Sequence, residues 1–255
     1  METEFKEKLI EYASDKKTRN KIYKILEQTE DSDYIDDEDF DLKDFSALTI
    51  KNPLDLKRIQ NYLKEHNDKL YILWMIGQNT GLRGSDIVKL TIYDLRQAIK
   101  NKKMIVVEQK IESIMSEKIK NNRPIRKTTR REIKRTVFIN NYLINLLKEF
   151  VYGKSLSEFV YPTNSKEGHI RRDSLGKAYK RTLVKLKIAK ADDSVGTHTP
   201  RKTYGYIQYK ENGGDINKVQ ELFGHSSPRI TRVYIGLDDE EKEQSARTMD
   251  KYTFN

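Results

Sequence analysis

Between Thr197 and Tyr234 the chain gathers two imidazoles (His198, His225), a guanidinium (Arg201) and a phenol (Tyr234), all near helix-start signals. Thr199-Pro200 pairs a capping residue with a first-turn proline, which predicts a helix beginning there with Arg201 in its first turn. His198 falls at or just before that cap, three residues ahead of Arg201, so both can face one point at the helix N-terminus. Unpaired backbone N–H groups at such a point favour an anion. Asp215 is predicted to open a second helix ending near Gly224. Ser227-Pro228 opens a third, with Tyr234 near its far end. Three helix starts would bring four polar groups to one surface, and the guest that suits them is a phosphate.

The elements that must hold this surface are legible upstream. Asn52-Pro53-Leu54-Asp55 joins a cap, a first-turn proline and an early acid. Leu56, Ile59 and Leu63, then Leu70, Ile72, Leu73, Trp74 and Ile76, predict two core helices, the second stopping between Gly77 and Gly81. Arg83 follows at a tight junction, before a short helix capped by Ser85 that runs through Ile87, Val88 and Leu90. Met104–Glu108 and Arg135–Ile139 read as paired strands. The connection from Lys110 to Arg135 carries ten Lys or Arg against three acids. It is expected to be an arm laid against DNA or a solvated excursion, and phosphate contacts made there would carry little sequence information. Helices are predicted over Asn141 to Val151 and from a cap at Asp173 or Ser174 to about Lys187. His66 reads as a helix C-terminal cap. His169 reads as solvated or touching backbone phosphate, with no chemical role.

Composition narrows the class further. The 255 residues lack cysteine, which removes disulfides, thiolate chemistry and Cys-based zinc sites. The four histidines are scattered and form no His-Glu-x-x-His pattern, which speaks against a metalloenzyme. No apolar run reaches the length of a membrane span, and the start of the chain does not resemble a secretory signal, so a cytoplasmic, DNA-associated protein is expected. The net charge of +10 is unevenly spread: residues 1–50 hold 15 Asp or Glu against 8 Lys or Arg, which leaves +17 on the remainder. Nine of those carboxylates lie between Glu30 and Asp44, a predicted linker or mobile arm. Beyond residue 50 the chain is a basic body suited to a polyanion.

Four segments together resemble the tyrosine recombinase, or phage integrase, family over about residues 52 to 250. They are Thr80-Gly81-Leu82-Arg83-Gly84-Ser85-Asp86-Ile87, Gly196-Thr197-His198-Thr199-Pro200-Arg201-Lys202-Thr203, Glu221-Leu222-Phe223-Gly224-His225-Ser226-Ser227 and Thr231-Arg232-Val233-Tyr234. The resemblance implies a mixed α/β, mainly helical catalytic domain with a small antiparallel sheet or hairpin, over residues 51–255. A short acidic helical segment and linker, residues 1–50, would precede it, shorter than the clamp domain most members carry. The protein would then bind one face of DNA, a partner would supply the other half of the clamp, or the chain would be a shortened member of the family. Pro200 stands where Leu or Met is commoner, and a first turn tolerates it.

What the resemblance implies for function is DNA strand cleavage and rejoining through a covalent 3′-phosphotyrosine, with no metal or nucleotide cofactor. Arg83 and Arg201 would be the two arginines, His198 the histidine of the His-x-x-Arg motif, His225 the second histidine position and Tyr234 the nucleophile. The hairpin lysine would be Lys110, with Lys127 as its rival. Physical chemistry agrees with these roles. Two guanidiniums can hold the non-bridging oxygens of a phosphodiester through paired, charge-assisted bonds. A phenol titrating near ~10 needs help to lose its proton at neutral pH, and the departing 5′-oxygen needs an acid. The implied partners are double-stranded DNA and three further copies in a tetramer assembled on DNA, the free protein being a monomer. The C-terminal tail with Tyr252 and Phe254 would fold back on its own domain or dock on a neighbour. Two other readings stay open: a type IB topoisomerase, which uses similar residues, and a non-catalytic DNA-binding regulator descended from a recombinase.

Overall fold

The structure is a computed structural model that describes residues 47–107, 134–225, 227–237 and 246–252. The acidic segment before residue 47, the basic connection with Lys110 and Lys127, and Phe254 lie outside the described residues. Helix α1 spans Pro53–His66 and α2 Asp68–Thr80. The Asn52 side chain accepts from the Leu54 N–H, as the cap signal predicts. Helix α2 is apolar on every side, with Leu70 to Gly77 buried without a break, and such a helix belongs at the centre of a core. The α1 residues Leu56, Ile59 and Leu63 close on it. Burying each leucine-sized side chain contributes roughly 1.5–3 kcal/mol.

Six further elements among the described residues complete this main core. Helix α3 is Gly84–Ile87, and α4 is Ile92–Asn101. The sequence reading does not anticipate α4, although a Thr91–Asp94 capping box announces it. Strands β1 (Lys103–Val107) and β2 (Lys134–Phe138) pair antiparallel, with Lys103 opposite Phe138. Each lies one residue before its predicted span. Met104 and Val137 point inward while Ile105 and Phe138 face solvent, the alternation a two-sided strand demands. Helix α5 is Asn141–Phe150 and α6 is Arg172–Lys185. Here the cap expectation fails: Arg171 occupies the N-cap of α6 without a side-chain bond, and Asp173 sits inside the first turn. The mainly helical, mixed α/β architecture with one small antiparallel sheet stands as expected.

Three helices form a second, smaller core: α7 (His198–Glu211), α8 (Ile216–Phe223) and α9 (Pro228–Ile235). Its buried side chains are Tyr206, Val219, Phe223, Tyr234, Ile235 and Leu237. Helix α7 joins the two cores, since it packs on α2 as well as on α8 and α9. Residues 47–51 strap the far side of the small core. The Ile50 N–H donates to Thr203 Oγ1 at 3.0 Å, Thr49 Oγ1 to the Ile235 carbonyl at 3.4 Å, and Lys51 Nζ to the Gly236 carbonyl at 2.9 Å. Of the tail, Tyr252 is described and exposed. No helix among the described residues is long and apolar enough to cross a membrane.

Candidate active site

Helix α7 begins at His198, with Thr197 at the N-cap and no side-chain bond from it. The predicted cap, Thr199, is already inside the helix, and its Oγ1 accepts from the Gly196 N–H at 3.2 Å. The earlier start leaves the chemistry intact, because His198 and Arg201 remain three residues apart on one face. Helices α8 and α9 begin where the sequence places them. Asp215 Oδ1 accepts from the Asn217 N–H at 3.0 Å, and Ser227 Oγ from the Ile230 N–H at 3.3 Å. Gly224 and Gly236 end the two helices in the left-handed conformation that L side chains resist.

These helix ends bring together side chains far apart in the chain. His198 Nδ1 lies 3.1 Å from the Tyr234 hydroxyl, a hydrogen bond across 36 residues. The His225 ring meets the Tyr234 ring edge-on at 5.1 Å between centroids. Phe223 supports the same ring at 5.5 Å. Tyr234 is 5% exposed, so the ring is part of the small core and its hydroxyl is the polar tip of that core. His225 Nδ1 is 3.0 Å from Thr231 Oγ1, which in turn donates to the Ser227 carbonyl at 3.3 Å. A threonine hydroxyl has one proton to give. While it goes to Ser227, His225 Nδ1 must carry the hydrogen of its own bond, and Nε2 is the nitrogen left to address a phosphate oxygen.

Arg201 is 2% exposed. One of its terminal nitrogens donates to the Gly81 carbonyl and the other to the Phe223 carbonyl, and the guanidinium lies 4.4 Å from the Phe223 ring centroid. Both carbonyls belong to helix C-terminal ends, of α2 and of α8, where a cation is favoured. Nothing in the local sequence around Arg201 announces this clamp, which joins residues 22 and 120 positions away. Five N–H donors allow the guanidinium to hold the clamp and an anion together.

Arg83 is the N-cap of α3 and half-buried. Its neighbour Gly84 is so close to the α7 start that an added Cβ would lie 2.4 Å from Thr197 Cβ. Only glycine permits that approach, and it sets Arg83 beside the turn that begins His198. Lys202 was not singled out by the sequence, yet it is 1% exposed with Nζ 5.4 Å from the Tyr234 ring centroid. Its signal was the four-residue step from His198, which places both on one helix face. The remaining histidines stand apart from this cluster. His66 Nδ1 bonds the Tyr62 carbonyl at 2.9 Å as a helix-end cap, and His169 Nδ1 bonds the Ile170 carbonyl at 2.9 Å.

Comparison with known proteins agrees with the resemblance. The model of the phage integrase family matches residues 52–241. The chain is similar to the probable integrase/recombinase YoeC of Bacillus subtilis, 29% identical over 185 residues, 72% of this chain and 87% of that protein. It is also similar to the tyrosine recombinase XerD of Agrobacterium fabrum, 29% identical over 92 residues, 36% of this chain and 27% of that one. The chain thus spans under a third of that XerD's length. Among solved structures, the Tn1549 transposon integrase in complex with circular intermediate DNA shares the fold. Its TM-score is 0.55 at 16% identity, with 96% of this chain and 84% of that chain covered.

Proposed function

The chain belongs to the phage integrase family, and from that premise we propose that it cleaves and rejoins duplex DNA through a covalent 3′-phosphotyrosine at Tyr234. The observation that carries this reading is the 3.1 Å bond between His198 Nδ1 and the Tyr234 hydroxyl. It joins the one phenol among these residues to a base able to accept its proton.

In this mechanism the phenol oxygen passes its proton toward His198, attacks the phosphorus and forms the O–P bond. The bond to the 5′-oxygen breaks, and that oxygen leaves with the electron pair. Lys110 protonates it, or Lys127 if the basic connection places that lysine at the site. Arg83 and Arg201 hold the non-bridging oxygens as charge builds on them, a fixed electrostatic term that acts without a metal or nucleotide. His225 donates from Nε2 to the phosphate, which requires its imidazolium form given the Thr231 bond. Resealing reverses the attack with a 5′-hydroxyl, so the covalent link conserves the energy of the broken bond. The basic body beyond residue 50 binds double-stranded DNA, and the copies are monomers in isolation and tetramers on paired sites, in the cytoplasm.

The test is a nicked suicide duplex from the chain's native locus. Wild-type protein is expected to form denaturant-resistant adducts at the 3′-phosphate, and Tyr234→Phe to bind the same DNA without forming any. Binding with no adduct from the wild type would support a regulator. Relaxation of supercoils without exchange between paired sites would support a topoisomerase.

A further inference from the structure

Lys202 is one of the largest fully buried side chains among the described residues. An ammonium is strongly hydrated, so a site of this kind is ordinarily filled by Leu or Met unless the charge is used. Lys202 lies one turn after His198 on α7 and directly after Arg201. Nζ stands over the face of the Tyr234 ring, 5.4 Å from its centroid, while His198 Nδ1 holds the hydroxyl of that ring at 3.1 Å. The nucleophile is therefore gripped on its face by an ammonium and at its tip by an imidazole.

The other charged or titratable groups around the ring come from each helix packed on it. Helix α7 supplies His198, Arg201 and Lys202, and Arg201 lies on the Phe223 ring. The loop after α8 supplies His225, edge-on to Tyr234. Helix α8 turns Lys218 and Glu221 to solvent, and on α9 itself Arg232 precedes the tyrosine by two residues. Among these, Lys202 and the two histidines make their contacts on Tyr234 itself.

We propose that Lys202 is a positioning residue for the nucleophile: its ammonium fixes the Tyr234 ring on α9 and supplies the positive charge that favours the phenolate. The proposal rests on Tyr234 being the nucleophile. An ammonium attracts the face of a neutral phenol through the ring quadrupole. It attracts the same ring more strongly once the O–H has given its proton to His198 and the oxygen keeps the electron pair. That difference between the two states is what accelerates a step. The oxygen then forms its bond to phosphorus while the 5′-oxygen leaves and takes a proton from the general acid. A purely structural lysine would help both states equally.

Two variants and one spectroscopic measurement decide the matter. Lys202→Met keeps the apolar stem and removes the charge, whereas Lys202→Arg keeps a charge at all accessible pH. Both are expected to bind the native-locus duplex like the wild type. On the suicide duplex, Lys202→Met is expected to form adduct about 10- to 100-fold more slowly at neutral pH. It should recover as pH rises, with its profile displaced by roughly one to two pH units to the alkaline side. Lys202→Arg is expected to keep the position of the profile, whatever its absolute rate. An equal loss at every pH, or no loss at all in Lys202→Met, overturns the proposal. If Lys202→Met does not fold, DNA-free wild type decides by difference against Tyr234→Phe. The phenolate absorbance due to Tyr234 should appear at lower pH than that of the other tyrosines, and its appearance with or after them overturns the proposal. Adduct formation by Tyr234→Phe would instead remove the nucleophile assignment, so the two failures are told apart.

Discussion

Tyr179 and Tyr234 are both buried tyrosines, 1% and 5% exposed, and they stand in the two cores of the molecule. Tyr179 sits in the main core, edge-on to Trp74 at 5.0 Å, where burial pushes its phenol far above the ordinary range. Tyr234 sits in the small core with His198 on its hydroxyl, His225 at its edge and Lys202 on its face. Burial by itself makes a phenol inert, because the charged form loses its hydration. What separates the two is the company supplied by three helix ends. The main core centres on long helices that meet along their sides, α1, α2 and α6 having 14, 13 and 14 residues. The small core sets α7 beside two eight-residue helices whose capped ends bring His198, His225 and Tyr234 together.

The largest expected effect breaks the comparison at the two phenols. Tyr234→Phe should lower adduct formation by more than about a thousandfold with DNA affinity intact, measured on the suicide duplex. Tyr179→Phe should leave the adduct and change alkaline stability instead. In the folded protein the Tyr179 phenol is raised above its unfolded value, so the unfolded chain loses this proton first. The stability this group contributes is complete below about pH 10 and falls by about 1.4 kcal/mol per pH unit above it. Urea titrations at rising pH should show a shallower loss in Tyr179→Phe, and an unchanged slope would contradict the burial argument.

Next in size is the guanidinium that ties the two cores. Arg201→Lys should lower cleavage by about 100- to 1,000-fold and destabilise the fold by about 1–3 kcal/mol, since an ammonium cannot reach both the Gly81 and Phe223 carbonyls. A variant that loses activity at full stability would separate the phosphate role from the clamp. Apolar deletions sharpen the contrast. Leu73→Ala in the main core should cost about 2–5 kcal/mol and Ile235→Val in the small core about 0.5–1.5 kcal/mol. Adduct yield measured well below the melting temperature should nevertheless fall more for Ile235→Val, which adjoins Tyr234.

The smallest effect concerns the strap. Lys51 is exposed and caps the α9 carbonyl end through Gly236. Lys51→Met should cost less than about 1 kcal/mol and slow adduct formation a few-fold with unchanged DNA affinity. A wild-type rate would show that the strap does not set the position of α9.

Local chemistry explains how much of this was legible. The caps at Asn52, Asp215 and Ser227, the left-handed ends at Gly81, Gly224 and Gly236, and the apolar faces of α1, α2 and α5 all act within a few residues. They could therefore be read along the chain. The His198-x-x-Arg201 step is local in the same way, whereas grouping it with His225 and Tyr234, up to 36 residues away, came from the family resemblance. The true N-caps, Thr197 and Arg171, lie two residues before Thr199 and Asp173, and the strands begin one residue before their predicted spans, because element ends are set by competing neighbours within one or two residues. The Thr91–Asp94 capping box that opens α4 is equally local.

The sequence by itself determined which polar residue types stand near the helix starts and which helices would carry them. Tertiary structure alone decided their company. The Arg201 clamp on Gly81 and Phe223, the approach of Gly84 to Thr197 and the Lys202 ammonium over Tyr234 join residues between 22 and 120 positions apart. No local propensity encodes such contacts. They follow from packing two cores against one shared helix, where each burial is set by what every other element leaves uncovered.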